Sequence, residues 1–108
     1  MLPEVLNIYN EVPASLKEEY FEKIVDKDSL IIERIISEGH VTPEGTWYDQ
    51  ETNEFVILLK GFAELEFEDG NIISMNQGDY IVIPAHAKHR VIKTAADQKT
   101  FWLAVHYL

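Results

Sequence analysis

Two side chains on two separate apolar stretches carry the chemistry in this sequence. Glu54 opens the run Glu-Phe-Val-Ile-Leu-Leu, and His89 closes the segment Tyr-Ile-Val-Ile-Pro-Ala-His-Ala-Lys-His. Burial can tune both a carboxyl and an imidazole toward neutral pH, so a Glu/His pair can move protons in isomerisation or hydrolysis with no metal. Both groups are also donors for a divalent ion, and the residues alone leave that alternative open. A bland alternative stands beside both: two buried polar groups that hydrogen-bond each other. Trp47, Tyr48, Asp49 and Gln50 stand ahead of Glu54, and His86 stands three residues ahead of His89. Trp47 and Tyr48 are an aromatic pair of the kind that clamps a ring or a sugar at a barrel rim, or that closes the end of a core.

For Glu54 and His89 to meet, two strands must lie side by side with both residues pointing inward. Strand alternation then places Val56 and Leu58 on the same inner face as Glu54, and Val91 on that of His89. The result is a carboxylate and an imidazole at the mouth of an apolar pocket, the common form of a small-molecule site.

The pattern along the chain supports such strands. Leu30 to Ile36 is β-branched and too apolar for a surface helix, and Phe55 to Leu59 reads as a buried strand. Phe62 to Glu68 alternates Ala63, Leu65 and Phe67 with three glutamates, one face packed and one wet. Asp69-Gly70 predicts a type I′ hairpin turn, with Ile72 to Met75 as its return strand. Turns at residues 76–79, 84–88 and 95–99 separate the strands Tyr80 to Ile83, His89 to Thr94 and Thr100 to Tyr107. At the front, Ser15 and Glu18 fit a capping box, and Leu16, Tyr20, Ile24 and Val25 follow at helical spacing. One short helix over Ser15 to Val25 is expected, covering an open end of the sheet, and Asn7-Ile8-Tyr9 is expected to add to a sheet edge. The fold class is thus all-β, an antiparallel double-sheet jelly-roll barrel with one short N-terminal helix. Residues 1–28 form the extension and helix, and residues 29–108 the barrel.

Composition narrows the partners. The 108 residues suffice for one domain and one core, and the 46% hydrophobic content excludes a disordered chain. Nineteen acidic against nine basic residues give a net charge of -10, which disfavours nucleic acid and anionic membranes. No stretch approaches the roughly 20 apolar residues of a membrane span, and the first residues lack the pattern of a signal peptide, so a cytoplasmic protein is expected. With no cysteine, thiolate chemistry and Cys-type zinc sites are excluded.

With these stretches in hand, the chain resembles the cupin family of small jelly-roll barrels. Glu54 and Gly61 fit the end of the first cupin motif, and Gly78, Pro84 and His89 fit the second. The likeness runs from about Ser29 to Tyr107. It implies a divalent metal held by two histidines and a glutamate of the first motif and a histidine of the second. Of that set only Glu54 and His89 are present: Trp47, Tyr48, Asp49 and Gln50 stand where the paired histidines belong, His86 replaces the second-motif glycine, and Lys93 replaces an asparagine.

A metal here would need improvised donors, since first-row ions take three or more protein ligands. Tyr48, Asp49, Gln50 or His86 would serve, His86 being the most attractive as an imidazole. His40 is expected in a solvated loop. His106 shares a strand face with Trp102, so it either approaches Glu54 in the lumen or, as the plainer reading has it, lies on an outer face. The expected function is a small barrel that binds or acts on a small polar molecule through Glu54, His89 and Tyr48. A divalent metal (Zn, Fe, Mn or Ni) on Glu54, His89, His86 and Gln50 is one form of it, and a site without metal is the other. The competing class is a non-catalytic ligand-binding or scaffold barrel. A homodimer is the favoured assembly, because short barrels often cover an edge strand that way.

Overall fold

A computed structural model describes residues 2–108. Eight antiparallel strands follow in order: β1 (Tyr20–Lys27), β2 (Leu30–Ser37), β3 (Asn53–Lys60), β4 (Phe62–Phe67), β5 (Ile72–Asn76), β6 (Tyr80–Ile83), β7 (His89–Thr94) and β8 (Thr100–Tyr107). They form a five-stranded sheet, β1-β2-β8-β3-β6, and a three-stranded sheet, β5-β4-β7. The two sheets do not join into a closed barrel. Side chains alternating inward from both sheets meet between them: Val56, Leu58, Trp102, Ala104 and Ile83 from the larger, Ala63, Leu65 and Met75 from the smaller. Each large apolar side chain buried in this way contributes roughly 1.5–3 kcal/mol.

The expected N-terminal helix is replaced by strand. Among the described residues there is no helix, and Tyr20 to Lys27 pairs along β2 from Tyr20↔Ile36 to Lys27↔Leu30. The helical spacing of Tyr20 and Ile24 was compatible with strand because Tyr, Phe, Ile and Val all favour a pleated surface. A tight return through Asp28 and Ser29 then offers β2 a ladder partner, and tertiary pairing overrides local helix signals. Ahead of this strand, the amide of Leu16 donates to Glu38 Oε1 at 3.2 Å instead of to a helical turn.

Asn7-Ile8-Tyr9 likewise forms no strand. Ile8 to Glu11 crosses the outer face of the large sheet, where Arg34 Nη1 donates to the carbonyls of Ile8 (3.1 Å) and Asn10 (2.6 Å) and Nη2 to that of Glu11 (3.4 Å). Tyr9 packs edge-on against Phe101, with ring centroids 5.2 Å apart. This cover explains why Arg34, Ile36 and Phe101 are buried although they face away from Glu33, Ile35 and Trp102.

The chain crosses between sheets at Gly61, which joins β3 to β4. Its φ of +102° lies in the left-handed region, and a Cβ there would stand 2.8 Å from the Cα of Thr100, so only glycine fits. The Asp69-Gly70 hairpin forms, but only Gly70 has positive φ, and the amide of Gly70 donates to Phe67 O. The loop is therefore a type I turn closed by a left-handed glycine rather than type I′. No helix among the described residues is long and apolar enough to cross a membrane.

Candidate functional site

The inner face of the large sheet ends in a row of polar groups. Glu54 on β3 lies opposite His106 on β8 and Ile83 on β6, and one step further along β8, Ala104 lies opposite Glu33 on β2. From the small sheet His89, at the start of β7, faces the same space. Tyr48 is bound to the backbone of β7 by two hydrogen bonds with His89, its amide donating to His89 O at 2.8 Å and its carbonyl accepting from His89 N at 3.2 Å. Its ring stands 5.6 Å from the imidazole of His89. These residues line a small cavity of about 70 Å³ between the sheets, with Val56, Leu65 and Val91 as its apolar walls.

Glu54 and His89 are both buried, at 7% and 5% exposure, and Glu54 Oε1 lies 3.7 Å from His89 Nε2. That is beyond hydrogen-bond reach, so the two do not simply satisfy each other. His89 Nδ1 lies 2.9 Å from the carbonyl of Ala87, which can only accept, so Nδ1 carries a proton and donates. In the neutral imidazole this leaves Nε2, on the Glu54 side, as the acceptor. Burial pushes the Glu54 carboxyl above its ordinary value of 4.5, while His106 and His89 pull it down and Glu33 pushes it up. A second pair stands beside the first. His106 Nε2 lies 3.0 Å from Glu33 Oε1, and that hydrogen bond holds the imidazole above its ordinary 6.5, against the effect of burial.

Glu19, ahead of β1, reaches the cavity from a third side. It accepts a short hydrogen bond from Ser37 Oγ, which in turn accepts one from Trp102 Nε1 at 3.3 Å. Burial raises its carboxyl as well. The Tyr48 phenol is likewise pushed up, by burial first and then by Glu19 and Glu54.

The structure thus brings together Glu54, His89, Tyr48 and Gln50 on the cavity wall. It does not bring His86 to them: its ring is exposed and lies 2.9 Å from Asp49 Oδ1, outside the cavity, while its amide donates to Gln50 O at 2.8 Å. Its φ of +65° explains the glycine expected at that place, since few side chains tolerate the left-handed region. Trp47 also faces outward, with Arg90 4.9 Å from its ring centre. His40 is half-buried rather than fully solvated, its Nδ1 accepting from the amide of Glu38. His106, expected on an outer face, is an inner residue instead, because Trp102, Ala104 and His106 are the buried side of β8. Glu33 was not anticipated at all. The available signal was a lone carboxylate alternating with Ile31 and Ile35 on one face of the strand. Glu19 sits in a loop and gave none.

The sequence profile of the Cupin domain matches residues 35–106. The chain is a cupin. Among solved structures, this cupin is similar to a Ralstonia eutropha JMP134 protein named as a proposed mannose-6-phosphate isomerase, with 39% identity, 97% of this chain and 98% of that one covered, and a TM-score of 0.92. It also resembles the polyketide cyclase RemF of Streptomyces resistomycificus (21% identity, 99% and 80% covered, TM-score 0.75). A cupin superfamily protein of Desulfitobacterium hafniense DCB-2 shares 15% identity over 90% and 84% of the two chains, with a TM-score of 0.74. The last two likenesses concern the fold alone. No curated protein matches the sequence.

Many cupins hold a metal, and the donor set here does not fit one. Among the described residues no three His, Asp or Glu side chains are grouped to take an ion. Of the cavity's His and Glu side chains, His106 and Glu33 are bound to each other and Glu19 to Ser37, which leaves Glu54 and His89 as two donors where three or more are normal. Tyr48 and Gln50 sit at the place of the missing histidines, one a phenol held in its neutral form and the other a poor amide donor.

Proposed function

We propose that this cupin binds a small polar organic molecule between its sheets and that Glu54 and His89 move a proton on it without a metal. The observation behind this reading is the pairing itself: a carboxyl held toward its protonated form by burial, facing an imidazole whose free nitrogen is turned to it by Ala87. Glu54 gives its proton to one atom of the ligand while His89 Nε2 takes a proton from another. The ligand leaves as a tautomer of itself, and the proton returns from His89 to Glu54 across the gap between them, so the cycle balances with no further reactant. An acid and a base poised on one substrate each contribute factors of about 10²–10⁴ in such reactions. The isomerase in the name of the Ralstonia protein is of this reaction class, which favours catalysis over a purely passive binding barrel.

The test combines a panel of small polar metabolites, read by thermal shift, with elemental analysis of protein purified without added metal. Ligands that stabilise the wild type are expected to lose at least about tenfold in affinity with Glu54→Gln or His89→Ala, and metal is expected well below one ion per chain. Stoichiometric Zn, Fe, Mn or Ni that disappears in both variants would establish the metal form of the site instead. Ligands indifferent to both variants would leave a scaffold. The same proposal includes a homodimer, supported by the edge strand β1, whose Phe21 and Ile24 are each half exposed.

A further inference from the structure

The two sheets differ on their outer sides. On the small sheet the strand register sets charged and polar groups side by side there, in the rows Ile72, Glu66, Arg90 and Ser74, Glu64, Lys93. On the large sheet the outward row Val25, Ile32, Val105, Phe55 and Val82 crosses all five strands without a polar side chain. The next row continues it with Tyr80, Ile57 and Leu103 and ends at the ion pair of Arg34 and Glu22. Unbroken apolar runs such as Phe55-Val56-Ile57-Leu58-Leu59 and Tyr80-Ile81-Val82-Ile83 belong to strands that are covered on both faces. A strand wet on one side alternates, as β4 does.

The cavity side of the large sheet is covered by the small sheet, but its outer side is open. None of the eight apolar side chains in the two outer rows is buried, and Tyr80 and Val82 are 66% and 51% exposed. The segment from Ile8 to Glu11 lies at the margin of this patch, held by Arg34. Ahead of it, Leu2, Val5 and Leu6 are themselves exposed, so this arm does not cover the patch of its own chain.

We infer that a second copy of this chain covers the patch: the outer faces of two large sheets pack together about a two-fold axis, and the N-terminal arm of each copy lies on its partner. This rests on the homodimer proposed above and places its contact on a face rather than on the β1 edge. That edge carries Glu22, Lys23, Asp26 and Lys27, and charged edge strands resist the addition of another strand. Two chains of net charge -10 repel each other except where a contact surface is free of charge, and a two-fold contact sets the same patch against itself. Five strands about 4.8 Å apart and two rows of side chains make the patch roughly 20 Å by 15 Å, about 300 Å² in plan. That falls short of the roughly 800 Å² per partner in a stable interface. Residues 2–7 extend over about 20 Å, the width of the sheet, and add their apolar side chains to the contact.

Sedimentation velocity and light scattering of the full chain at micromolar concentration test this. The wild type is expected at the mass of two chains. Val82→Asp and Tyr80→Glu each set a carboxylate against the partner's apolar face, and each is expected to weaken the dimer at least about a hundredfold. Both side chains are open to solvent in the single chain, so the circular dichroism of each variant is expected to match the wild type. Removal of residues 2–6 is expected to weaken the dimer at least about tenfold. Ile24→Asp, on the β1 edge, is expected to leave it intact. A dimer that survives both face substitutions, that only Ile24→Asp breaks, or that is indifferent to the loss of residues 2–6 overturns the inference while the homodimer stands. A single-chain mass for the wild type overturns both, and capture of that monomer by uncharged phosphatidylcholine vesicles would assign the face to a membrane instead. The small-molecule reading of the cavity is untouched by any of these results.

Discussion

At the scale of single residues, the cavity groups make stability fall with rising pH. Glu54 keeps its proton to higher pH in the folded protein than in the unfolded chain, as does Glu19. Their contribution is complete below the ordinary carboxyl value of 4.5 and is lost as pH rises through the folded midpoint. Glu54→Gln removes the Glu54 part of that dependence, so its melting temperature should gain on the wild type from about pH 4.5 upward, measured across a pH series of thermal melts. His106 has the same sign in a higher window, its raised value making it stabilising below 6.5 and progressively less so above. Its proton NMR titration midpoint should lie above 6.5 and drop with Glu33→Gln, which removes the hydrogen bond that holds the charge. At His86 the expected change is a gain. Glycine there relieves the left-handed strain and loses only an exposed contact to Asp49, so His86→Gly should raise stability by about 0.5–1 kcal/mol in urea denaturation. Glu54 and His89 were legible in the sequence because motif spacing and strand alternation both point them inward. Glu33 and His106 were not, because which face of β2 and β8 turns inward depends on how those strands are paired in the large sheet.

At the scale of elements, the strands were legible and their ends were not. Seven of the expected strands form because alternation, β-branched runs and turn glycines agree. The first strand was hidden, since its apolar spacing fits two periods and only pairing with β2 decides between them. The link between β3 and β4 rests on one atom's worth of space. Gly61→Ala places a methyl against the backbone of Thr100 in a left-handed conformation, and it should cost roughly 2–4 kcal/mol in a denaturant titration. That loss should weaken ligand binding too, because the same glycine sets the angle between the sheets that wall the cavity. Arg34→Ala should cost about 2–4 kcal/mol through its three lost backbone contacts and should open the segment from Ile8 to Glu11 to limited proteolysis.

At the scale of the whole molecule, the charge of -10 and the cavity's carboxylates act in the same direction. The protein repels polyanions at long range, a repulsion that added salt should screen. Several apolar groups near the first strand are exposed. Leu2, Val5 and Leu6 project from the N-terminal segment, and Phe21 and Ile24 lie on the edge strand. A dimer that covers some of them would show twice the 12.5 kDa chain mass by light scattering, and a single-chain mass at micromolar concentration would refute it.

Arg34 grips the N-terminal segment by main-chain carbonyls, and only Tyr9 adds a ring contact beneath it. Carbonyls are common to all twenty amino acids. The clamp therefore reads little of the segment beyond the Asn7 turn, the Tyr9 ring and the left-handed backbone at Glu11, and a foreign peptide of the same length with Asn at position 7, an aromatic residue at 9 and Gly or Asn at 11 should seat there as well as the native one. This makes the outer face of the large sheet a ready point for grafting a reporter or an affinity handle, on the side away from the cavity.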